Sequence, residues 1–457
     1  MPTVPTWAGT EDKLLQHIVH QEKERQQYEL ELIASENYLS PEVMHAMANV
    51  FTNKYAEGYP GKRYYGGQHR VDRLECLTQW RALRMFDLLP SVTRVEEQET
   101  VGEKVEAILA TSDWIVNVQP LSGGPANAGV YLWLLQPGDG ILGMSLDAWG
   151  HLSHGHPLNM SWQYYTIHTY GVDPSTMRID YDQIEQQAIE TKPRLIVAGG
   201  SAYTRIIDWS AFARIAQRVE QVHRYRPLVM ADVAHVAGLI AWGVYPSPFP
   251  HCDVVTTTTH KTLRWPRWGL IFAKKEHQKH INRWLFPGIQ WGPHQHILVA
   301  KAQAFGEIIY GWWRIQEGDS FAAYAQRVVE NARTLATELQ QHGWELLSWW
   351  TDTHMLLRDV TMRHQQPTDY TGSTYQQQLE DIWLSANKNM LPYDTRSPMD
   401  PSGIRVGTAA ITTRWLGEDD MRWLADILSR AIDPQHDKDA LRQQVRTYCE
   451  KFPLPYT

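Results

Sequence analysis

The stretch "VVTTTTHKTLRWPRWGLIF" (254–272) runs an apolar segment into four threonines and then into His260-Lys261. A lysine in a loop at the carboxyl end of an apolar strand is partly desolvated. Desolvation lowers the ammonium pKa and frees the amine for Schiff-base chemistry. Taken alone, the commoner reading is a surface lysine at a strand end. Asp232 closes another apolar run, "PLVMAD" (227–232). A carboxylate there suits a pyridinium nitrogen, as electron-sink chemistry requires, although turn aspartates are common at strand ends. His235, three residues on, is either a core histidine or a group beside a cofactor oxygen.

Three further segments carry chemistry. "QPLSGGPANAG" (119–129) sets Ser122, Gly123 and Gly124 before a helix expected to start near Pro125. Backbone amides at a helix N-terminus bind phosphate, but small-residue turns are frequent. "GHLSHG" (150–155) spaces His151 and His154 as metal ligands on a helix would be. Its flanking glycines predict a loop and no acidic partner is near, so an imidazole stacked on a flat ring is the better reading and no metal is expected. "SGIRVG" places Arg405 in an apolar strand, suited to gripping a carboxylate bidentately or to closing a structural ion pair.

The elements that must position these residues follow from periodicity. Residues 11–33 read as a polar helical arm. "SPEV" (40–43) offers Ser40 as N-cap and Pro41 as first helical residue, and the Gly/Tyr-rich "NKYAEGYPGKRYYGG" (53–67) reads as a loop. From about 107 to 275, strand-like runs at 140–146, 194–200, 227–232, 253–257 and 270–274 alternate with helical segments. That alternation predicts an α/β fold with a mainly parallel sheet covered by helices, with ligands at the carboxyl ends of the strands. Beyond about 310 come a long amphipathic helix at 321–342 terminated by Gly343, strands at 356–360 and 403–407, and helices near 416–432 and 436–450. The expected organisation is an N-terminal arm (1–50), a large domain (51–308) and a smaller C-terminal α/β domain (309–457).

Bulk composition bounds the rest. The 457 residues allow two or three domains with a sizeable core. A formal charge of −8 gives no basic footprint for nucleic acid or anionic membrane, so small-molecule or protein partners are expected. Three scattered cysteines argue against a disulfide framework and fit a reducing, cytoplasmic compartment. The N-terminal stretch shows no signal-peptide pattern and no run is apolar enough to span a membrane.

Taken together, the segments resemble serine hydroxymethyltransferase, a fold-type I family dependent on pyridoxal 5'-phosphate (PLP). The resemblance runs nearly end to end, from "ELIASENYLSPEV" (31–43) through "NKYAEGYPGKRYYGG", "VNVQPLSGGPANAGVY", "GHLSHG", "ADVAHVAGL" and "VVTTTTHK" to "NKNMLPYDTRSP" and "GIRVGTAAITTR". It implies a seven-stranded, aspartate aminotransferase-like large domain. It makes Lys261 the Schiff-base lysine, Asp232 the partner of the pyridine nitrogen and His151 the residue stacked on the ring, with His235 and Ser201 near the phenolic oxygen. Ser122, Gly123, Gly124, Thr258, His260, Tyr55 and Gly292 would complete the cofactor site. Ser35 and Arg405 would hold the substrate carboxylate, and Glu57 would transfer a proton near the serine hydroxyl. Tyr55, Glu57 and Tyr65 would enter from a neighbouring subunit, which implies a homodimer. Leu146, Gly150, Leu152 and Asn389 would contact folate. The implied reaction interconverts L-serine plus tetrahydrofolate and glycine plus 5,10-methylenetetrahydrofolate, the one-carbon chemistry of glycine biosynthesis. The alternatives are a folate-independent aldolase for β-hydroxy amino acids and a non-catalytic protein on the same fold.

Two departures from the family pattern stand out. Gly124 replaces a common serine, removing one hydroxyl from the phosphate site. More unusually, the chain has 20 tryptophans against 9 phenylalanines, and tryptophan stands where the family has glycine at 149, 265, 268, 291, 349, 350 and 415, with 162 and 383 as further cases. Trp114, Trp209 and Trp344 fall outside this pattern. Glycine at such places supplies positive φ or close backbone approach, which tryptophan matches only with strain. The pattern is what results when a UGA codon assigned to glycine is read as tryptophan, and it predicts distorted backbone at these sites.

Overall fold

The computed structural model describes residues 12–89, 105–311, 320–361, 370–433 and 435–456. The polar arm is a helix over Lys13–Tyr28 that buries no side chain. It ends five residues before the expected boundary, because Leu30–Glu31 form a short strand, β1, paired with a strand at Leu384–Ser385. Asp12 caps the helix by accepting from Leu15 N. The helix Pro41–Met47 starts as the sequence predicts, with the Ser40 hydroxyl accepting from Val43 N. That hydroxyl also donates to Glu307. Within the 53–67 loop, Gly58–Tyr59 (β2) and Lys62–Arg63 (β3) form a small hairpin.

Seven strands make the central sheet: β4 (Trp114–Asn117), β5 (Gly140–Met144), β6 (Thr166–Tyr170), β7 (Leu195–Ala198), β8 (Leu228–Asp232), β9 (Val254–Thr258) and β10 (Gly269–Lys274). Their order is β4-β10-β9-β8-β7-β5-β6. All pairings are parallel except those of β10, which runs antiparallel to both β9 and β4. The mainly parallel expectation holds. Strand β7 and the interior of β8 are buried on both faces and read as continuous apolar runs, while β9, equally buried, passes from two valines into three threonines. Strand β6, "TIHTY", escaped the sequence reading because it is a half-exposed edge whose alternation is mostly polar. The helix Gly123–Leu134 begins two residues before Pro125, with Ser122 as its N-cap residue.

The C-terminal part holds a three-stranded antiparallel sheet in which β14 (Gly403–Gly407) lies between β11 (Met355–Asp359) and β13 (Asn387–Asn389), while β12 is Leu384–Ser385. The long helix Phe321–Gln341 links the two cores. Its Tyr324 and Val328 join the core of the large sheet, whereas Leu335 and Leu339 join the C-terminal core, which also takes in Leu30 and Leu32. The strand register sets Arg405 opposite both Leu357 and Asn387.

The expectation for the tryptophans divides. Trp149, Trp349, Trp383 and Trp415 have positive φ, at 77°, 58°, 67° and 78°. At 265 and 268 the expected distortion is absent. There the left-handed residue is Arg264 (φ 51°), Trp265 packs edge-on against Phe305, and the Trp268 indole N–H donates to Val118 O at 3.1 Å. Trp162, Trp291 and Trp350 are not among the positive-φ residues either, and Trp162 and Trp291 lie largely exposed.

Candidate active site

A cavity of about 380 Å³ opens at the carboxyl ends of the strands, lined by Ser35, Ser122, Gly123, Gly124, His151, Ser201, Asp232, His235, Thr258, His260, Lys261 and Arg405 among others. Strand ends deliver most of these groups. Asp232 is the last residue of β8 and Thr258 the last of β9, and Lys261 follows in the loop after β9. The Lys261 carbonyl accepts from Asn37 Nδ2 (3.0 Å) and Arg264 N (2.9 Å), which fixes the backbone from which the amine projects. The neighbouring loops touch backbone to backbone. Thr262 Oγ1 donates to His235 O (2.8 Å) and accepts from Gly238 N (3.0 Å), and a Cβ on Gly238 would collide with the Thr262 carbonyl.

Electrostatics separate the roles. Burial brings the Lys261 ammonium down from 10.5 to about 8, against the opposing pull of Asp232. Burial alone would raise the Asp232 carboxyl, but hydrogen bonds from His154 and Asn127 hold it well below the carboxylate range. Its Oδ2 accepts from Asn127 Nδ2 at 2.8 Å and lies 3.1 Å from His154 Nε2, and its Oδ1 accepts from Ala234 N at 3.1 Å. The site therefore keeps a fixed negative charge on its floor. Burial lowers His151 to about 4 and His260 to about 3, and it takes His235 well below its ordinary value. All three rings are neutral at pH 7.

Arg405 is buried, and desolvation brings it only to about 10, so it stays cationic. It donates to Ser201 O at 2.6 Å and to Asn387 Oδ1 at 3.0 Å, two of its five N–H donors. Among the described residues no carboxylate pairs with it. Of the two readings open from sequence, the structural ion pair is not found among them. Ser201 is itself held by donating its N–H to Trp149 O at 2.7 Å.

Not every predicted residue converges here. Tyr55, Glu57, Tyr65 and Gly292 do not line the cavity. Tyr55 and Tyr65 are half exposed with their rings 5.9 Å apart, and Gly292 packs against the Ala56 carbonyl. Leu146, Gly150, Leu152 and Asn389 do not line it either. Leu152 is exposed, Gly150 is pressed on the Met144 carbonyl, and Asn389 Nδ2 donates to Met390 O at 2.7 Å. "GHLSHG" is a loop with a short 3₁₀ turn at Leu152–His154, and among the described residues no cluster of metal-ligating groups occurs.

The sequence reading missed Asn127, which is buried and joins three elements. It donates to Asp232 and Ser153 and accepts from Thr256 Oγ1 at 2.7 Å. Its position one helical turn after Gly123 was the available signal. It also missed His354, which nothing in "TDTHMLL" marks as special.

The residues fit PLP on their own geometry. Ser122 stands before a twelve-residue helix without making a side-chain cap, leaving its hydroxyl for an anion. A Cβ at Gly123 would come within 2.8 Å of Thr258 Cγ2, so the backbone there must stay bare. The buried Nδ1 of His260 has no partner. An anion cradle, a desolvated amine and a buried carboxylate share one cavity. Fold and site together define a fold-type I PLP-dependent enzyme. The sequence matches the family model described as "Serine hydroxymethyltransferase" over residues 9–111 and 103–428. The chain belongs to that family.

Proposed function

We propose that this chain interconverts L-serine plus tetrahydrofolate and glycine plus 5,10-methylenetetrahydrofolate. The observation that carries this reading is the buried Arg405, which pairs with no carboxylate among the described residues, in the same cavity as the desolvated Lys261. A cation kept desolvated without a counterion is matched to an anionic ligand such as an amino-acid carboxylate.

In this reading Ser122 and the amides of Gly123 and Gly124 would hold the cofactor phosphate, Asp232 would pair with its ring nitrogen and Lys261 would carry it. PLP, when bound, supplies the electron sink for charge developing at Cα. Arg405 and Ser35 would orient the substrate by its carboxylate, which fixes the arrangement of bonds at Cα. Breaking the Cα–Cβ bond leaves its electron pair at Cα, which takes up a proton to give glycine. The hydroxymethyl carbon passes to tetrahydrofolate and its oxygen leaves as water. Glu57 moves the proton at that oxygen.

Glu57 belongs to a surface rather than to this cavity, so the reading includes a homodimer in which a second copy supplies Tyr55, Glu57 and Tyr65. Exposed Tyr55, Tyr64, Tyr65 and Trp291 make that surface aromatic, as interface cores are. Mixing Glu57→Gln with Lys261→Met subunits, each inactive alone, should restore activity in the hybrid with one intact site. Absence of recovery in a verified hybrid counts against the shared site. For the reaction itself, glycine release from serine should require tetrahydrofolate. Full-rate turnover without folate would establish the aldolase alternative instead.

A further inference from the structure

His354 immediately precedes β11 and is fully buried, yet it belongs to none of the roles above. Its Nε2 lies 3.1 Å from Ala34 O and 3.5 Å from Nδ1 of His235. The two imidazoles are nearly parallel, at 19° with centroids 5.6 Å apart. Its Nδ1 is buried with no hydrogen-bond partner. Its own carbonyl accepts from Thr408 N at 2.9 Å, tying the residue to the chain just beyond β14 and Arg405.

Proton placement follows from what each neighbour can do. A carbonyl only accepts, so the proton of His354 sits on Nε2, pointing at Ala34 O. Burial favours the neutral ring, which leaves Nδ1 bare, in keeping with its lack of a partner. The same Nε2–H faces Nδ1 of His235. A proton on that nitrogen would oppose the Nε2 proton, so Nδ1 of His235 must be the bare acceptor. His235 is neutral too, and its single proton is then on Nε2. His235 lines the cavity, and its Nε2 is not among the buried atoms that lack a partner. The ring thus offers the cavity a donor.

We propose that His354 is a positioning residue that fixes His235 in its Nε2–H tautomer, so that the cavity receives a hydrogen-bond donor at this wall. The bond to Ala34 O also clamps the segment carrying Ser35 and Glu36, both of which line the cavity, against the same ring. The assignment rests on the cofactor reading only for what the donor meets, an acceptor oxygen on the bound ring, and not for the tautomer itself.

The test is a long-range ¹H–¹⁵N correlation spectrum of the full-length, histidine-labelled protein without cofactor, with His235 assigned by its loss in His235→Asn. The unmodified chain should show His235 as the Nε2–H tautomer. His354→Gln, which keeps an N–H donor at similar reach, should preserve it. His354→Leu should convert His235 to a mixture or to the Nδ1–H form and weaken PLP binding about tenfold, the effect of one lost hydrogen bond. An Nδ1–H tautomer in the unmodified chain overturns the proposal, even if His354→Leu fails to fold. So does an unchanged His235 signal in a folded His354→Leu. A missing tetrahydrofolate dependence, with the tautomer as assigned, would sink the proposed reaction and leave this inference standing.

Discussion

Two regions of this protein hold unfavourable conformations or environments, and they differ in what accompanies the cost. In the cavity, a lysine is desolvated down to about 8 and an arginine is buried with no carboxylate partner among the described residues. Both costs are recovered when a ligand supplies the missing partner. At the turns, tryptophan occupies left-handed backbone with no ligand to compensate. The turn after the helix Ala409–Thr413 closes with Leu416 N donating to Ile411 O across Trp415 (φ 78°). The turn after Phe321–Gln341 closes identically, with Trp344 N donating to Leu339 O across Gly343 (φ 80°). Both have the helix-ending geometry that favours glycine at the left-handed position. A third such turn puts Trp149 (φ 77°) between Ser145 O and Gly150 N, with its indole N–H buried and unpartnered. Strain beside the chemistry has a use, whereas strain at these turns has none that the structure shows.

Removing each cost should therefore have opposite consequences for activity. Lys261→Met should abolish serine cleavage, a loss of roughly a thousandfold or more, while stabilising the cofactor-free chain. The folded pKa lies below 10.5, so the native state binds fewer protons than the unfolded chain between pH 8 and 10.5. The penalty is complete below pH 8, worth about 3 kcal/mol, and fades as pH rises toward 10.5. Denaturant titrations should show stability rising through that window more steeply in the unmodified chain than in Lys261→Met, where buried Lys301, also driven well below its ordinary value, still contributes. An equal rise in both chains would contradict the assignment to Lys261.

Arg405→Lys keeps the charge but loses the planar fork, so kcat/KM for serine should fall about a hundredfold. Near-normal kinetics would place the carboxylate elsewhere. At the turns, replacing Trp349, Trp383 and Trp415 together by glycine should raise stability by roughly 1 kcal/mol per site and leave kcat unchanged. The coding DNA sharpens this comparison: TGA codons at 149, 349, 383 and 415, with TGG at 114 and 209, would show that glycine is the encoded residue. TGG throughout makes the strain real. The smallest effect is the converse change, Gly343→Trp, expected to cost about 1 kcal/mol. A neutral result would mean that these turns accept tryptophan freely.

Much of the fold was legible because β5, β7, β8 and β10 carry buried apolar runs and β9 opens on one. The cavity residues were legible one by one, through lysine, aspartate and arginine at strand ends, and their convergence came from the resemblance. Strand β6 escaped because an edge need not be apolar. Asn127 and His354 escaped because hydrogen bonds between elements distant in sequence leave no local pattern. At 265 and 268 the expected distortion was wrong for a physical reason: φ at those positions is ordinary, and the rings found a core and a carbonyl acceptor.

The most direct test of the account is to incubate the full-length protein with PLP, reduce with borohydride and map the modified peptide. The cavity geometry predicts label on Lys261. Lys301 is an internal competitor, since it is also fully buried and its pKa is driven well below the ordinary value by desolvation, but its Nζ donates to Val118 O at 2.8 Å. Label confined to Lys261 is the result this structure predicts. Label on Lys301, or no label at all, would contradict it.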